Sequence, residues 1–159
     1  MITKDVLIFE SGDGGELAIE NQDLVFVESL YQQIYLALFG GNVEQVTKTN
    51  YLFNEQRFDY WGKSLFFADA PSLQFNSNTE KTLQNIALNS SGRLELIRAV
   101  ESDLQYLNEL LNYTVDVLFF EVNKIKIIVN FASKDNQENK VLQLIYDNAK
   151  NELIIEKTI

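Results

Sequence analysis

The side chains in this sequence that could carry out catalysis are carboxylates, lysines, tyrosines and serines. The 159-residue chain contains no Cys and no His. This composition excludes a thiolate nucleophile, a Ser-His-Asp triad and disulfide bonds, as well as zinc or haem held by sulfur or imidazole. An enzyme built from this chain would depend on acidic pairs of the glycosidase kind. In such a pair one carboxyl is desolvated and the second lies about 5–10 Å away across a cleft.

Four acidic pairs are close enough in sequence to be considered for that chemistry. They are Glu16 and Glu20, Glu101 and Asp103, Asp116 and Glu121, and Glu152 and Glu156. The first and last pairs have the spacing of one face of an exposed strand. Residues two apart on a helix, as in the second pair, do not face each other. The third pair lies in an apolar hairpin, where acids at an edge discourage aggregation. No catalytic residue is therefore predicted.

The glycine-rich segment Ser11–Glu16 is a candidate loop for calcium or phosphate. It has one Asp where an EF-hand loop has alternating acids, it lacks the Lys of a P-loop, and no helix pattern follows it. A hairpin turn is the preferred interpretation. The sequence predicts no metal site and no cofactor.

The net charge of the chain limits the kinds of partner that it is predicted to bind. Twenty-three acids and 13 bases give a formal net charge of −10 and a pI near 4.4. Residues 1–60 hold ten acids and three bases. A nucleic acid or an anionic membrane surface would be repelled, so neither is predicted as a partner. No signal peptide or membrane span is predicted, because the apolar runs are too short. The acidic first third is either a solvated surface or a face that meets a basic protein.

The first forty residues predict a β hairpin followed by a helix. Asp5–Phe9 and Glu16–Glu20 are its strands, and Leu24–Val27 predicts a further strand of the same meander. Ser29–Phe39 is predicted to be helical, with a capping box of Ser29 and Gln32 and a left-handed stop at Gly40-Gly41. Apolar residues cover most of this helix, which indicates packing on more than one side.

Residues 42–76 show no period and contain eight aromatic residues. They either fold over the core as an irregular strap or dock on a neighbouring chain. The motif Tyr60-Trp61-Gly62-Lys63 fits a core anchor and an interface hot spot equally well. The predicted partner-interface residues are Trp61, Tyr60, Tyr31 and Tyr35, each of which could also belong to the core.

Two helices and two hairpins are predicted after residue 76. A capping box of Ser77 and Glu80 starts the first helix, and Ser90-Ser91-Gly92 separates it from a second, Arg93–Leu111, with Asn112 as its stop. The second helix has an apolar stripe and a polar face. The stripe is Leu94, Ile97, Val100, Leu104, Leu107 and Leu111, and the polar face is Glu95, Arg98, Ser102, Gln105 and Glu109.

The C-terminal segments predict β structure. Tyr113–Val122 and Lys124–Phe131 form a hairpin around Asn123-Lys124, and Val141–Tyr146 pairs with Glu152–Glu156. The element order predicts one α+β domain over residues 1–159, with a mainly antiparallel sheet and about three helices.

Five features of this order occur together in one known family. They are an acidic early hairpin ending in Asp23-Leu24, a helix with the Leu30, Ile34 and Leu38 spacing, the Trp61-Gly62 motif, a long amphipathic helix and a C-terminal hairpin. Over residues 5–131 the chain resembles the baseplate wedge proteins of Mu-like contractile-tailed phages. It is also similar in layout to the lysozyme-related wedge proteins of other contractile tails and of type VI secretion baseplates.

The match to the family is not complete. The family's aromatic-Trp-Gly-acid motif corresponds to Tyr60, Trp61 and Gly62, with Lys63 in place of the acid and Asp59 in place of the preceding Gly. Residues 132–159 extend past the resemblance as additional C-terminal strands.

The resemblance implies a non-enzymatic structural subunit of a phage or prophage tail baseplate. Such a subunit joins the wedge beside the larger baseplate arm protein, in the virion and, during assembly, in the host cytoplasm. It does not imply glycosidase activity, because no catalytic carboxylates match. Two hypotheses of other classes remain beside it. One is an acidic protein-binding or inhibitor module acting on a basic host protein, and the other is a carboxylate-based hydrolase.

Overall fold

The computed structural model describes residues 3–11, 14–40, 77–135, 138–150 and 152–158. The chain divides into an N-terminal unit, Met1–Ser77, and a C-terminal unit, Asn78–Ile159. The single domain expected over 1–159 stays a prediction.

Six short strands open the N-terminal unit: β1 (Lys4–Val6), β2 (Ile8–Ser11), β3 (Gly14–Leu17), β4 (Ile19–Glu20), β5 (Asp23–Leu24) and β6 (Phe26–Glu28). They form three antiparallel pairs, β2 with β3, β4 with β5, and β1 with β6. The predicted hairpin is therefore present. The predicted further strand is also present, because β5 pairs with β4, and the third segment returns to the first through the β1–β6 pair.

The three strand pairs meet at a ring of backbone hydrogen bonds. The Leu7 N–H donates to the Val25 carbonyl at 2.8 Å, the Ala18 N–H donates to the Leu7 carbonyl at 2.9 Å, and the Val25 N–H donates to the Ala18 carbonyl at 2.9 Å. Each of the three chain segments contributes one residue to this ring, and at that residue it switches from one partner strand to the other. The ring satisfies the backbone groups that the change of partner would otherwise leave unpaired.

Helix α1 spans Ser29–Phe39, as predicted, and packs against β1 and β6. The expected capping box is wrong, because Glu28 occupies the N-cap and no side chain there bonds to the helix. Ser29 is the first helical residue, and its N–H donates to the Thr3 carbonyl at 2.9 Å. The expected left-handed stop is also wrong at Gly40, whose φ is −87°, whereas Gly41 lies outside the described residues. A Cβ on Gly40 would lie 2.6 Å from the Leu36 carbonyl oxygen, so glycine is needed there for close approach.

Helices α2 (Asn78–Asn85) and α3 (Ser90–Leu104) begin the C-terminal unit. The expected break at Ser90-Ser91-Gly92 is wrong, because these residues form the first turn of α3. The helix begins there because Asn89 caps it, with its side-chain oxygen accepting a hydrogen bond from the Gly92 N–H at 2.9 Å.

The C-terminal end of α3 also differs from the prediction. The helix ends at Leu104, a 3-10 turn follows at Gln105–Leu107, and Leu111 already belongs to a strand. The expected end at Leu111 and stop at Asn112 are therefore wrong. Leu107 and Leu111 are buried, and a turn followed by a strand buries them as well as a continued helix would. The predicted polar face of this segment is exposed throughout, but Leu94 of the predicted apolar stripe is exposed too.

The C-terminal sheet has four antiparallel strands in the order β10-β9-β8-β7. They are β7 (Leu111–Glu121), β8 (Lys124–Ser133), β9 (Asn139–Asp147) and β10 (Glu152–Thr158). Both predicted hairpins are present. The first turn lies at Val122-Asn123, one residue before the predicted position, because Asn123 adopts a positive φ of 65°. The strands after residue 131 continue this sheet, and β8 itself runs through the expected boundary at 131/132.

One face of the sheet is buried. Its residues alternate along the central strands, as predicted for Ile125, Ile127 and Val129, and the register aligns them with Leu142, Leu144 and Tyr146 of β9. Helix α3 packs on β7 and α2 packs on α3. Helices on an antiparallel sheet make this an α+β protein, in agreement with the predicted fold class.

Candidate interaction surface

The residues predicted to contact a partner are only partly described by the structure. Trp61 and Tyr60 lie outside the described residues. Tyr31 is half-buried on α1, and Tyr35 is 5% exposed, with its ring stacked on Phe39 at a centroid distance of 5.5 Å. The Tyr35 ring thus packs within its own helix. A partner contact through these four residues stays a prediction.

One acidic residue of the described segments, Asp103, has a structural role. Asp103 is buried on α3, and its carboxylate accepts hydrogen bonds from the backbone N–H groups of Asn78 and Thr79 at 3.1 and 2.7 Å. It also accepts from the Asn78 side-chain amide and the Thr79 hydroxyl, both at 2.8 Å. Burial raises the pKa of Asp103, and these four bonds oppose the rise. Asp103 therefore caps the N-terminus of α2.

The other acidic candidates do not come together in the described residues. Glu101 is exposed while Asp103 is buried. Asp116 bonds to Arg93 at 2.6 Å, and Glu121 bonds to Lys124 at 2.6 Å and holds the pKa of that lysine above its usual range. No group of three or more Asp or Glu suited to a metal ion occurs within the described ranges. The side chains of Glu16, Glu152 and Glu156 lie outside the described part of the chain.

A shallow open depression of about 380 Å³ lies beside the start of β7. It is lined by Glu101, Asn108, Leu111, Asn112 and Tyr113. The Tyr113 hydroxyl donates to the Glu101 carbonyl at 3.4 Å, and desolvation, with the Glu101 charge, raises the pKa of Tyr113. With a single acid and an open mouth, this depression lacks the second carboxyl and the desolvated cleft that glycoside hydrolysis needs.

Six apolar side chains of the N-terminal unit occupy matching register positions on its three strand pairs. Each pair supplies two residues directly opposite each other: Val6 and Phe26, Ile8 and Leu17, and Ile19 and Leu24. Opposite residues project to the same side of a strand pair, and residues two apart along a chain share a face. These six residues are called the N-terminal apolar face below.

Four residues of the N-terminal apolar face are exposed to solvent, whereas Val6 and Ile8 are half-buried. Ile19 is 69% exposed, Phe26 54%, Leu17 51% and Leu24 39%. Adjoining apolar side chains with this exposure mark sites where proteins bind each other. The sequence predicts strands here, and the predicted partner contacts lie elsewhere. The signal was the alternation of apolar and polar residues at Glu16–Glu20.

Local hydrogen bonds hold this face in position. Gln32 of α1 is buried, and its side-chain amide accepts from the Ile8 N–H at 3.1 Å and donates to the Ile8 carbonyl at 3.0 Å. The turn between β4 and β5 is tight, because Asn21 and Gln22 both have positive φ, 52° and 67°. The two Gln32 hydrogen bonds connect the backbone that carries the apolar residues to helix α1.

Exposed acids alternate with the apolar residues along these strands and so project to the opposite side of the strand pairs. Glu20 follows Ile19 and Asp23 precedes Leu24, and both are exposed at the tip of the β4–β5 pair, while Asp5 is exposed on β1. Among the described residues of the N-terminal unit, Lys4 is the only basic one. These strands therefore present apolar side chains on one side and acidic side chains on the other.

Comparison with known proteins yields no match to a family model, to a curated protein or to a solved structure. No helix in the described segments is long and apolar enough to cross a membrane.

Proposed function

We propose that this protein is a non-enzymatic structural subunit of a phage or prophage contractile-tail baseplate and assembles by protein–protein packing. Its partners are other baseplate or tail proteins, the larger baseplate arm protein among them. It is located in the tail baseplate of the virion and, during assembly, in the host cytoplasm. The resemblance of residues 5–131 to the wedge proteins of Mu-like phages suggests this role.

The observation that carries the proposal is the exposed N-terminal apolar face. Burial of apolar side chains is the main source of stability in permanent protein assemblies, and it does not depend on salt as ion pairs do. An enzyme would need convergent polar groups, whereas among the described acids Asp103 caps a helix and Asp116 and Glu121 pair with bases. These features favour a role in packing.

Affinity capture tests this proposal. The tagged full-length chain is expressed in cells that carry the parent element, and the bound proteins are washed in about 1 M salt, where the Debye length is about 3 Å. Recovery of tail or baseplate proteins after this wash is the expected result. Recovery of no tail protein would contradict the proposal.

The second candidate is an acidic module that binds a basic host protein. The exposed Asp5, Glu20 and Asp23 favour it. Contacts made mainly by such exposed charges weaken strongly with salt. Capture of a single basic host protein at low salt, with complete loss in about 1 M salt, would support this candidate over the baseplate subunit.

A further inference from the structure

We draw no further inference here: the strongest candidate, the N-terminal apolar face on the three strand pairs of the N-terminal unit, carries none, because the acids on these strands project to the opposite side and nothing in the described residues shows what covers it.

Discussion

Asp103 shows how one buried carboxylate can connect two helices. Its oxygens accept four hydrogen bonds from Asn78 and Thr79, so it satisfies the first N–H groups of α2 from a neighbouring helix. The sequence predicts a capping box of Ser77 and Glu80 at this helix start, and Ser77 precedes the helix with a positive φ of 44°. An acid in the last turn of α3, for which the sequence predicts no role, thus has a structural one.

Asp103→Asn should lower the free energy of unfolding by about 1–3 kcal/mol. The Asn side chain places an NH₂ donor where a carboxylate oxygen of Asp103 accepts hydrogen bonds, so two donors would face each other. Equilibrium urea unfolding measures this loss. Ser102→Ala, at the exposed neighbouring position, is the control and should change the free energy of unfolding by less than about 0.5 kcal/mol. An equally small effect of Asp103→Asn would show that the cap is dispensable.

The stability that Asp103 contributes should also depend on pH. Its pKa is raised above the ordinary value of 3.8, so the native state keeps the proton at pH values where the unfolded chain has lost it. The free energy of unfolding then falls as pH rises from 3.8 through the raised pKa. The stability difference between the natural protein and Asp103→Asn should therefore narrow from acid to neutral pH. Urea unfolding at a series of pH values tests this, and a difference that widens would contradict it.

The absence of a side chain at Gly92 allows α3 to begin at Ser90. A Cβ at this position would lie 2.0 Å from the Ala87 carbonyl oxygen and 2.8 Å from the Ile86 side chain. Both distances are shorter than any real contact, so the segment before the helix must shift to accept a side chain.

Gly92→Ala should reduce the free energy of unfolding by about 1–3 kcal/mol, in the range of overpacked sites. Alanine has a higher helix propensity than glycine, so propensity alone would raise the stability. A loss of stability therefore indicates steric overlap. Thermal unfolding of Gly92→Ala beside Ser91→Ala, an exposed position in the same turn, provides the comparison. A rise in melting temperature for Gly92→Ala would refute the close approach.

Aspartates protect strand edges at three places in the described segments. Asp5, Asp23 and Asp116 each accept a hydrogen bond from the N–H of the following residue, at 2.8–2.9 Å. On edge strand β7, Arg93 adds a second contact, because its Nε donates to the Val117 carbonyl at 2.6 Å. The N–H and the carbonyl of Val117 are thus both occupied. The sequence predicts Asp116 at an edge for this reason, and β7 is an edge strand of the described sheet.

Arg93→Met should expose the Val117 carbonyl and make β7 available to another strand. Because Arg93 and Asp116 are both about half-exposed, the loss of stability should be small, about 0.5–1 kcal/mol. Self-association should increase more clearly, and sedimentation velocity at several concentrations measures it. Arg98→Met, on the exposed face of the same helix, is the control. An Arg93→Met protein that stays as monomeric as the control would refute edge protection by Arg93.

At the scale of the whole molecule, partner binding is predicted from two regions of different character. The N-terminal apolar face is visible in the structure, whereas Trp61 and Tyr60 come from the sequence and lie outside the described residues. The two predictions are independent.

Trp61→Ala should weaken assembly with the captured tail proteins by about 2–4 kcal/mol if Trp61 is an interface hot spot. The melting temperature of the isolated chain should then stay unchanged. A core Trp would instead cost about 3–5 kcal/mol of stability on the same substitution. Melting curves and binding titrations of the variant, with Trp61→Phe as the conservative control, separate the two outcomes. Loss of stability without loss of affinity would refute the interface role.

The sequence by itself determined the fold class, helix α1 and the hairpins of the C-terminal sheet. These features follow from local patterns: the alternation of Ile125, Ile127 and Val129 fixes which face of β8 is buried, and turn residues between apolar runs fix the pairing of neighbours. Such patterns act within a few residues and can be read along the chain.

Only the tertiary structure decided which distant groups meet. It showed that β1 pairs with β6, that Asp103 caps α2, that Gly92 lies inside α3, and that three cross-strand pairs join into one apolar face. Each of these contacts joins residues that are not neighbours in sequence, or depends on a steric fit between two segments. A local pattern is compatible with several partners at such a place, and packing in three dimensions selects among them.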